Sequence, residues 1–238
     1  MKKKRLLWIL PPALLALLAG AFFLYVGIYY HADETARDAL VSDGTVSVSE
    51  TGYGWYFDGP GTGDALIFYP GAKVEETAYA PFLRLLAEKG LDVCLVRMPF
   101  RLAFFGIDKA DGIRSLYGYD RWFVGGHSLG GAMAAVYAAG HGELSGVVLC
   151  AAYPTKPLDR QDLEILVYGS EDGVLNREKL AEGRAFASDY AAEYEIEGGN
   201  HAQFGAYGRQ TGDGEARISA EEQQTKAADF ILKSLHGE

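Results

Sequence analysis

Residues 121–140 read RWFVGGHSLGGAMAAVYAAG, an apolar run that turns abruptly into a row of small residues. Arg121–Gly126 suits a buried strand, and the residues from Leu129 onward suit a helix. Between them Gly126-His127-Ser128-Leu129-Gly130 has the G-x-S-x-G pattern of a nucleophile elbow in its strand–turn–helix setting. The spacing has a steric cause. So sharp a turn brings the positions two before and two after the serine against neighbouring backbone, which requires glycine at both. The result is an exposed Ser128 Oγ above the free N–H groups of a helix N-terminus.

On either side of this turn the chain alternates between strand-like and helix-like segments. TVSVS (45–49) and YGWYF (53–57) are short leading strands. DALIFY (64–69), LDVCLVRM (91–98), RWFVGG (121–126), SGVVLCAA (145–152), LEILVYG (163–169) and AEYEIEG (192–198) follow. Several are near-continuous apolar runs, as expected of strands covered on both faces. Helices are expected at 76–89, with Tyr79, Phe82, Leu83 and Leu86 on one face, and near 108–117, 129–139, 176–188 and 219–235. The pattern predicts an α/β domain with an eight-stranded, mostly parallel sheet flanked by helices. Function in such sheets gathers at the carboxyl ends of the strands.

A serine hydroxyl needs a base. Of five histidines, His31 lies beside the N-terminal apolar run, His127 should point away from Ser128 Oγ, His141 follows the far end of the elbow helix, and His236 is in the C-terminal tail. His201, in EGGNHAQFG after the last strand, sits at a carboxyl end. A carboxylate to orient it is available in Gly169-Ser170-Glu171-Asp172-Gly173, with Asp172 the first choice and Glu171 the second. Asp162 and Glu164 are at the wrong end of their strand. Oxyanion donors are expected from the backbone N–H groups of Leu129 and of Ala72, in the loop Pro70-Gly71-Ala72-Lys73.

The sequence resembles the α/β-hydrolase superfamily, and more narrowly the α/β-hydrolase fold-5 group distantly related to dienelactone hydrolases. The motifs are YPGAKVEETAYAPF (69–82), MPFRLAFF (98–105), GGHSLGGAMAA (125–135), YGSEDGV (168–174) and GGNHAQFGAYGRQTGDG (198–214), within about Thr45 to Leu235. The resemblance implies an antiparallel second strand, a third strand between the fourth and fifth, and a Ser128–Asp172–His201 triad. The fold-5 group is defined by sequence more than by substrate; the residues themselves point to a serine esterase-like hydrolase acting on a small-molecule ester or acyl substrate through an acyl-enzyme on Ser128. Dienelactone hydrolases use a cysteine nucleophile, so their narrower activity does not carry over. An acyltransferase using the same triad and a silent membrane-tethered binding module remain alternatives.

In that topology Cys94 and Cys150 lie three strands apart, roughly 14 Å at ~4.8 Å per strand. A disulfide requires Cα atoms within ~7 Å, so both read as small core residues. The connection YPTKPLDRQD (153–162) is too short for a cap domain, which leaves the site open. Its walls are expected from Lys73–Thr77, Pro99–Ile107 and Phe204–Gly214, with Lys73, Phe204 and Tyr207 touching substrate. Phe100, Leu102, Phe104 and Phe105 read first as core and second as an acyl pocket. No metal-ligand spacing occurs, and Gly59, Gly61 and Gly63 form no dinucleotide fingerprint, so no metal or cofactor is expected.

The N-terminus has its own character. Lys2, Lys3, Lys4 and Arg5 precede an uncharged apolar run, Leu6–Tyr30. As a helix it spans ~37 Å at 1.5 Å per residue, enough for a ~30 Å hydrocarbon core with some tilt. Pro11 and Pro12 fall in its first turns, and Tyr25, Tyr29 and Tyr30 suit an interfacial belt. A cleaved signal peptide has a shorter apolar core and a small-residue cleavage site. Residues 1–31 are therefore expected to be a basic head and single-pass cell-membrane anchor, 32–43 a polar linker, and 44–238 the hydrolase domain on the extracytoplasmic side. Secretion after cleavage is the alternative. Without the four head residues, 18 basic residues face 32 acidic ones, about −14. Such a domain offers nucleic acid no basic stripe.

Overall fold

A computed structural model describes residues 2–61 and 63–237, with side chains from Pro11 onward except at the undescribed position 62. Its eight strands are β1 (Ser47–Thr51), β2 (Gly54–Asp58), β3 (Asp64–Tyr69), β4 (Asp92–Val96), β5 (Arg121–His127), β6 (Gly146–Cys150), β7 (Leu163–Gly169) and β8 (Tyr190–Ile196). They form one sheet in the order β1-β2-β4-β3-β5-β6-β7-β8. β2 is antiparallel to both β1 and β4, and every other pair is parallel. Parallel strands need covered crossovers, and the apolar runs supply them: β4 and β6 are buried at every residue.

The helices are α1 (Lys2–Gly27), α2 (Glu34–Asp38), α3 (Ala80–Glu88), α4 (Lys109–Arg114), α5 (Leu129–Ala138), α6 (Arg177–Gly183) and α7 (Ala220–His236). Phe82, Leu83 and Leu86 of α3 and Ala228 and Ile231 of α7 fill one face of the sheet. Ile113 of α4, Ala134 and Tyr137 of α5 and Leu180 of α6 fill the other. Ser219 caps α7 by accepting the Glu222 N–H at 3.1 Å, and Gly237 ends it in the left-handed region. Cys94 and Cys150, on β4 and β6, are free and buried, with β3 and β5 between them. Burial pushes the Cys94 thiol up to about 12, so it is no thiolate nucleophile.

Residues 32–43 pack onto the domain, unlike the polar linker their composition predicts. Ala32 and Ala36 enter the core, Asp33 caps α2, and the Asp33 N–H donates to the Ala206 carbonyl at 2.9 Å. Arg84 Nη1 donates to the carbonyls of Ala39 and Val41. Two alanines spaced one helical turn apart are too small to stand out as a core face in sequence. Pro11 and Pro12 also lie well inside α1, because the helix begins at Lys2 instead of Leu6. Among the described residues no helix is long and apolar enough to cross a membrane. The expected span begins at Leu6, and Leu6–Leu10 fall outside the described side chains.

Candidate active site

The turn between β5 and α5 holds Ser128 at φ 54°, ψ −123°, a conformation an L-residue adopts only under strain. Its N–H donates to the Cys150 carbonyl at 2.9 Å and its carbonyl accepts from Ala132 at 3.0 Å, which pins the turn. The steric reason for the glycines holds in detail. A Cβ on Gly126 would run into the Tyr69 carbonyl oxygen and the Gly130–Gly131 backbone, and one on Gly130 into the carbonyls of Tyr69 and Pro70. Five non-glycine residues have positive φ among the described residues: Lys73, Phe100, Arg101, Ser128 and Ala151. All lie in loops after β3, β4, β5 or β6. At about 1–3 kcal/mol each, strain is concentrated on the carboxyl edge of the sheet.

His201 begins the turn after β8, and Asp172 lies in the loop after β7. Both side chains are essentially fully buried, and His201 Nδ1 is bonded to Asp172 Oδ2 at 2.9 Å. Asp172 Oδ1 accepts the N–H groups of Val174 at 2.9 Å and Leu175 at 2.7 Å. The carboxylate thus has three donors, and the bond to Nδ1 leaves Nε2 as the free lone pair of the ring. Nε2 is buried and has no protein partner. No hydrogen bond joins it to Ser128 Oγ, but the His201 ring centre lies 4.4 Å from that of His127, the residue next to Ser128, with the two rings tilted at 53°. Glu171 turns elsewhere. It pairs with Arg217, which holds its carboxyl below the usual range.

The loop after β3 exposes a single uncommitted donor. Gly71 N–H donates to Tyr79 Oη at 3.0 Å, Lys73 N–H to the Arg101 carbonyl at 2.9 Å, and Val74 N–H to the Gly71 carbonyl at 3.4 Å. Among the described residues the Ala72 N–H has no protein acceptor, nor does that of Leu129, the first residue of α5. These are the two N–H groups the sequence singles out.

Three supporting groups escape a sequence reading. Tyr79 Oη accepts from the Gly71 N–H at 3.0 Å and shares a second hydrogen bond with His127 Nδ1 at 2.8 Å. Burial, then the neighbouring His201, keep His127 well below the usual histidine range and therefore neutral. Its Nε2 faces the His201 backbone without a bond of normal geometry. Asp213 is the third. Oδ1 accepts the N–H groups of His201 (3.2 Å), Gly173 (3.1 Å) and Gly214 (2.8 Å), and Oδ2 that of Ala202 (2.9 Å). One carboxylate ties the His201 turn to the Asp172 loop. Its signal in sequence is Gly212-Asp213-Gly214, an aspartate free to collect backbone donors between two glycines.

The expected substrate contacts divide. Phe204 is fully buried against Phe82 and His127, and Tyr207 is buried beside Tyr79 with its hydroxyl on Gln210. Both belong to the core, Phe204 at the end of the short turn Ala202–Phe204 and Tyr207 just after it. Lys73 is half-buried, its ammonium 4.1 Å from the Tyr25 ring centre. Of the aromatic run, Leu102 alone is buried, whereas Phe100, Phe104 and Phe105 are exposed. Two cavities, about 640 and 620 Å³, lie behind the histidine loop and beside α4 and α5. Ser128 lines neither. Among the described residues no cluster of His, Cys, Asp and Glu could hold a metal ion.

A family model described as "Alpha/beta hydrolase family" matches residues 65–225, more than half the chain. The chain belongs to the α/β-hydrolase family. A solved structure, TT1662 from Thermus thermophilus, superposes on this α/β-hydrolase with a TM-score of 0.58 at 12% identity, over 81% of this chain and 99% of that one. At that identity the likeness shows the fold alone. No curated protein matches the sequence. Family membership makes the α/β-hydrolase a hydrolase, and the resemblance read from the sequence motifs agrees with it.

Proposed function

We propose that this chain is a serine hydrolase that cleaves a carboxylic ester or related acyl bond of a small molecule. The observation that carries the reading is the buried His201–Asp172 pair, whose ring lies against His127, the residue next to a serine held in an elbow conformation, and whose Nε2 is unpartnered. Ser128 Oγ attacks the acyl carbon while His201 Nε2 takes its proton. The Leu129 and Ala72 N–H groups hold the oxyanion. When the C–O bond to the leaving group breaks, His201 returns the proton to the departing alkoxide. Water, deprotonated by the same nitrogen, then attacks the acyl-enzyme and releases acid and free serine. Asp172 keeps the imidazole in the required tautomer and stabilises its cation.

The N-terminal reading goes with it. The KKKR head and the apolar run Leu6–Tyr30 support a single-pass anchor with the head in the cytoplasm and the domain outside. The test of the chemistry is turnover of p-nitrophenyl acetate by the wild type and by Ser128→Ala. Burst kinetics lost in the variant are expected, and equal turnover by both overturns the assignment.

A further inference from the structure

We propose that the aromatic rim beside the candidate site enters the lipid bilayer and presents Ser128 to amphiphilic esters held there. The inference rests on the serine-hydrolase and anchor readings above and names the substrate class they would serve. The rim is built from two distant pieces of chain. Phe22 of α1 packs on Phe100 and Phe105, with ring centres 5.2 and 6.1 Å away, and Phe23 lies 6.2 Å from Phe100. Phe105 in turn touches Phe100 and Phe104. Despite these contacts Phe100, Phe104 and Phe105 are 43%, 48% and 47% exposed. Large clustered aromatics left in water need a reason.

Three further observations choose the bilayer as occupant. The exposed rim continues into the exposed apolar surface of α1, where Leu14, Leu17, Leu18 and Leu24 also face outward, and a bilayer covers both at once. Cations then sit on aromatic rings just past the rim. The Arg101 guanidinium lies 3.4 Å from the Tyr29 ring centre, and Lys73 lies over Tyr25. Amphipathic rings and long cationic side chains take this level at a membrane surface, and these two charges suit anionic headgroups within an otherwise acidic domain. Finally, the exposed Phe100 and its neighbour Arg101 are consecutive residues at φ 55° and 58°, so the rim sits on a strained backbone.

The rim also reaches the chemistry. The Lys73 N–H bonds the Arg101 carbonyl, and Lys73 follows Ala72, the proposed oxyanion donor. An ester whose acyl chain stays in the hydrocarbon and whose carbonyl lies at headgroup level therefore meets Ser128 without leaving the bilayer.

The test uses the full chain reconstituted in phosphatidylcholine–phosphatidylglycerol vesicles. Cys94 and Cys150 are buried, so Phe104→Cys and, as a remote exposed control, Glu178→Cys each take one environment-sensitive NBD label. The expected result is a several-fold rise in emission and quenching by doxyl-labelled lipid at Phe104→Cys alone. Equal behaviour of the two labels overturns the proposal. So does a chain that fails to sediment with vesicles, and that result also removes the anchor reading. In parallel, Phe100→Ser/Phe105→Ser should lower kcat/KM on a long-chain umbelliferyl ester in the bilayer about tenfold more than on p-nitrophenyl acetate. Equal losses on the two esters contradict the delivery role. Absence of Ser128-dependent turnover on either ester removes the hydrolase reading and the delivery role with it, and leaves insertion to be decided by the label.

Discussion

Strand β7 carries a buried aspartate beyond each end, and the protein treats the two in opposite ways. Asp172, past the carboxyl end, receives two backbone N–H groups and the His201 ring. Asp162, before the amino end, keeps Oδ2 buried with no partner, and burial, then nearby Asp159, push its carboxyl up to about 6. Both carboxyls lose water, but only one is given donors in its place. The comparison separates a carboxylate whose burial is compensated by hydrogen bonds from one whose burial is not. It also agrees with the strain: every positive-φ non-glycine among the described residues is on the carboxyl edge.

The sharpest way to break this comparison is to remove each carboxylate's charge. Asp172→Asn keeps the shape, presents the wrong hydrogen-bond partner to Nδ1, and should lower kcat/KM for a soluble ester on the order of 10³–10⁴-fold. Glu171→Gln, one residue away, should change it less than about twofold, because its partner is Arg217 at the surface. Equal losses would mean that the buried pair has no special role.

Asp213→Ala comes next. Four N–H groups lose their acceptor, His201 and Ala202 among them, so kcat should fall about 10–100-fold with little change in KM. Melting should reveal about 2–3 kcal/mol of lost stability. Asp213→Asn keeps one oxygen acceptor and should recover part of both. Tyr79→Phe strips a partner from the Gly71 N–H and from His127 Nδ1, and frees the loop that carries the Ala72 N–H. A roughly tenfold loss in kcat is expected, smaller than for Asp213→Ala.

The smallest effect belongs to Asp162, and its sign is opposite. A carboxyl whose folded pKa is raised contributes stability below its unfolded value near 4 and loses it as pH rises through about 6. Asp162→Asn should therefore stabilise the protein at pH 7–8 by about 1 kcal/mol after allowance for solvent screening, a shift of a few degrees in Tm. The gain should vanish at pH 4. A variant that is less stable at pH 8 would show that the charged form is useful after all.

Much of this was legible in the sequence, for identifiable reasons. Strand periodicity located all eight strands, and the clash at Gly126 and Gly130 makes the elbow readable from spacing alone. Elimination left His201 as the candidate base, because of the five histidines it alone lies in a loop just past a strand's carboxyl end. Phe204 and Tyr207 were harder. Whether an aromatic beside a histidine faces ligand or core depends on one short turn, which sequence does not specify. Phe100, Phe104 and Phe105 went the other way, because an apolar run looks the same whether it enters a core or stands outside it. Asp213 has one signal, the glycines on either side of it, and that signal does not say which backbone N–H groups it collects.

The central claim is that Ser128 is the activated nucleophile, and an active-site-directed fluorophosphonate tests it most directly. Wild-type protein, digested after labelling, should carry one adduct on the peptide containing Ser128, and folded Ser128→Ala should carry none. Folded wild type that stays unlabelled, or an adduct that persists in Ser128→Ala, would contradict it.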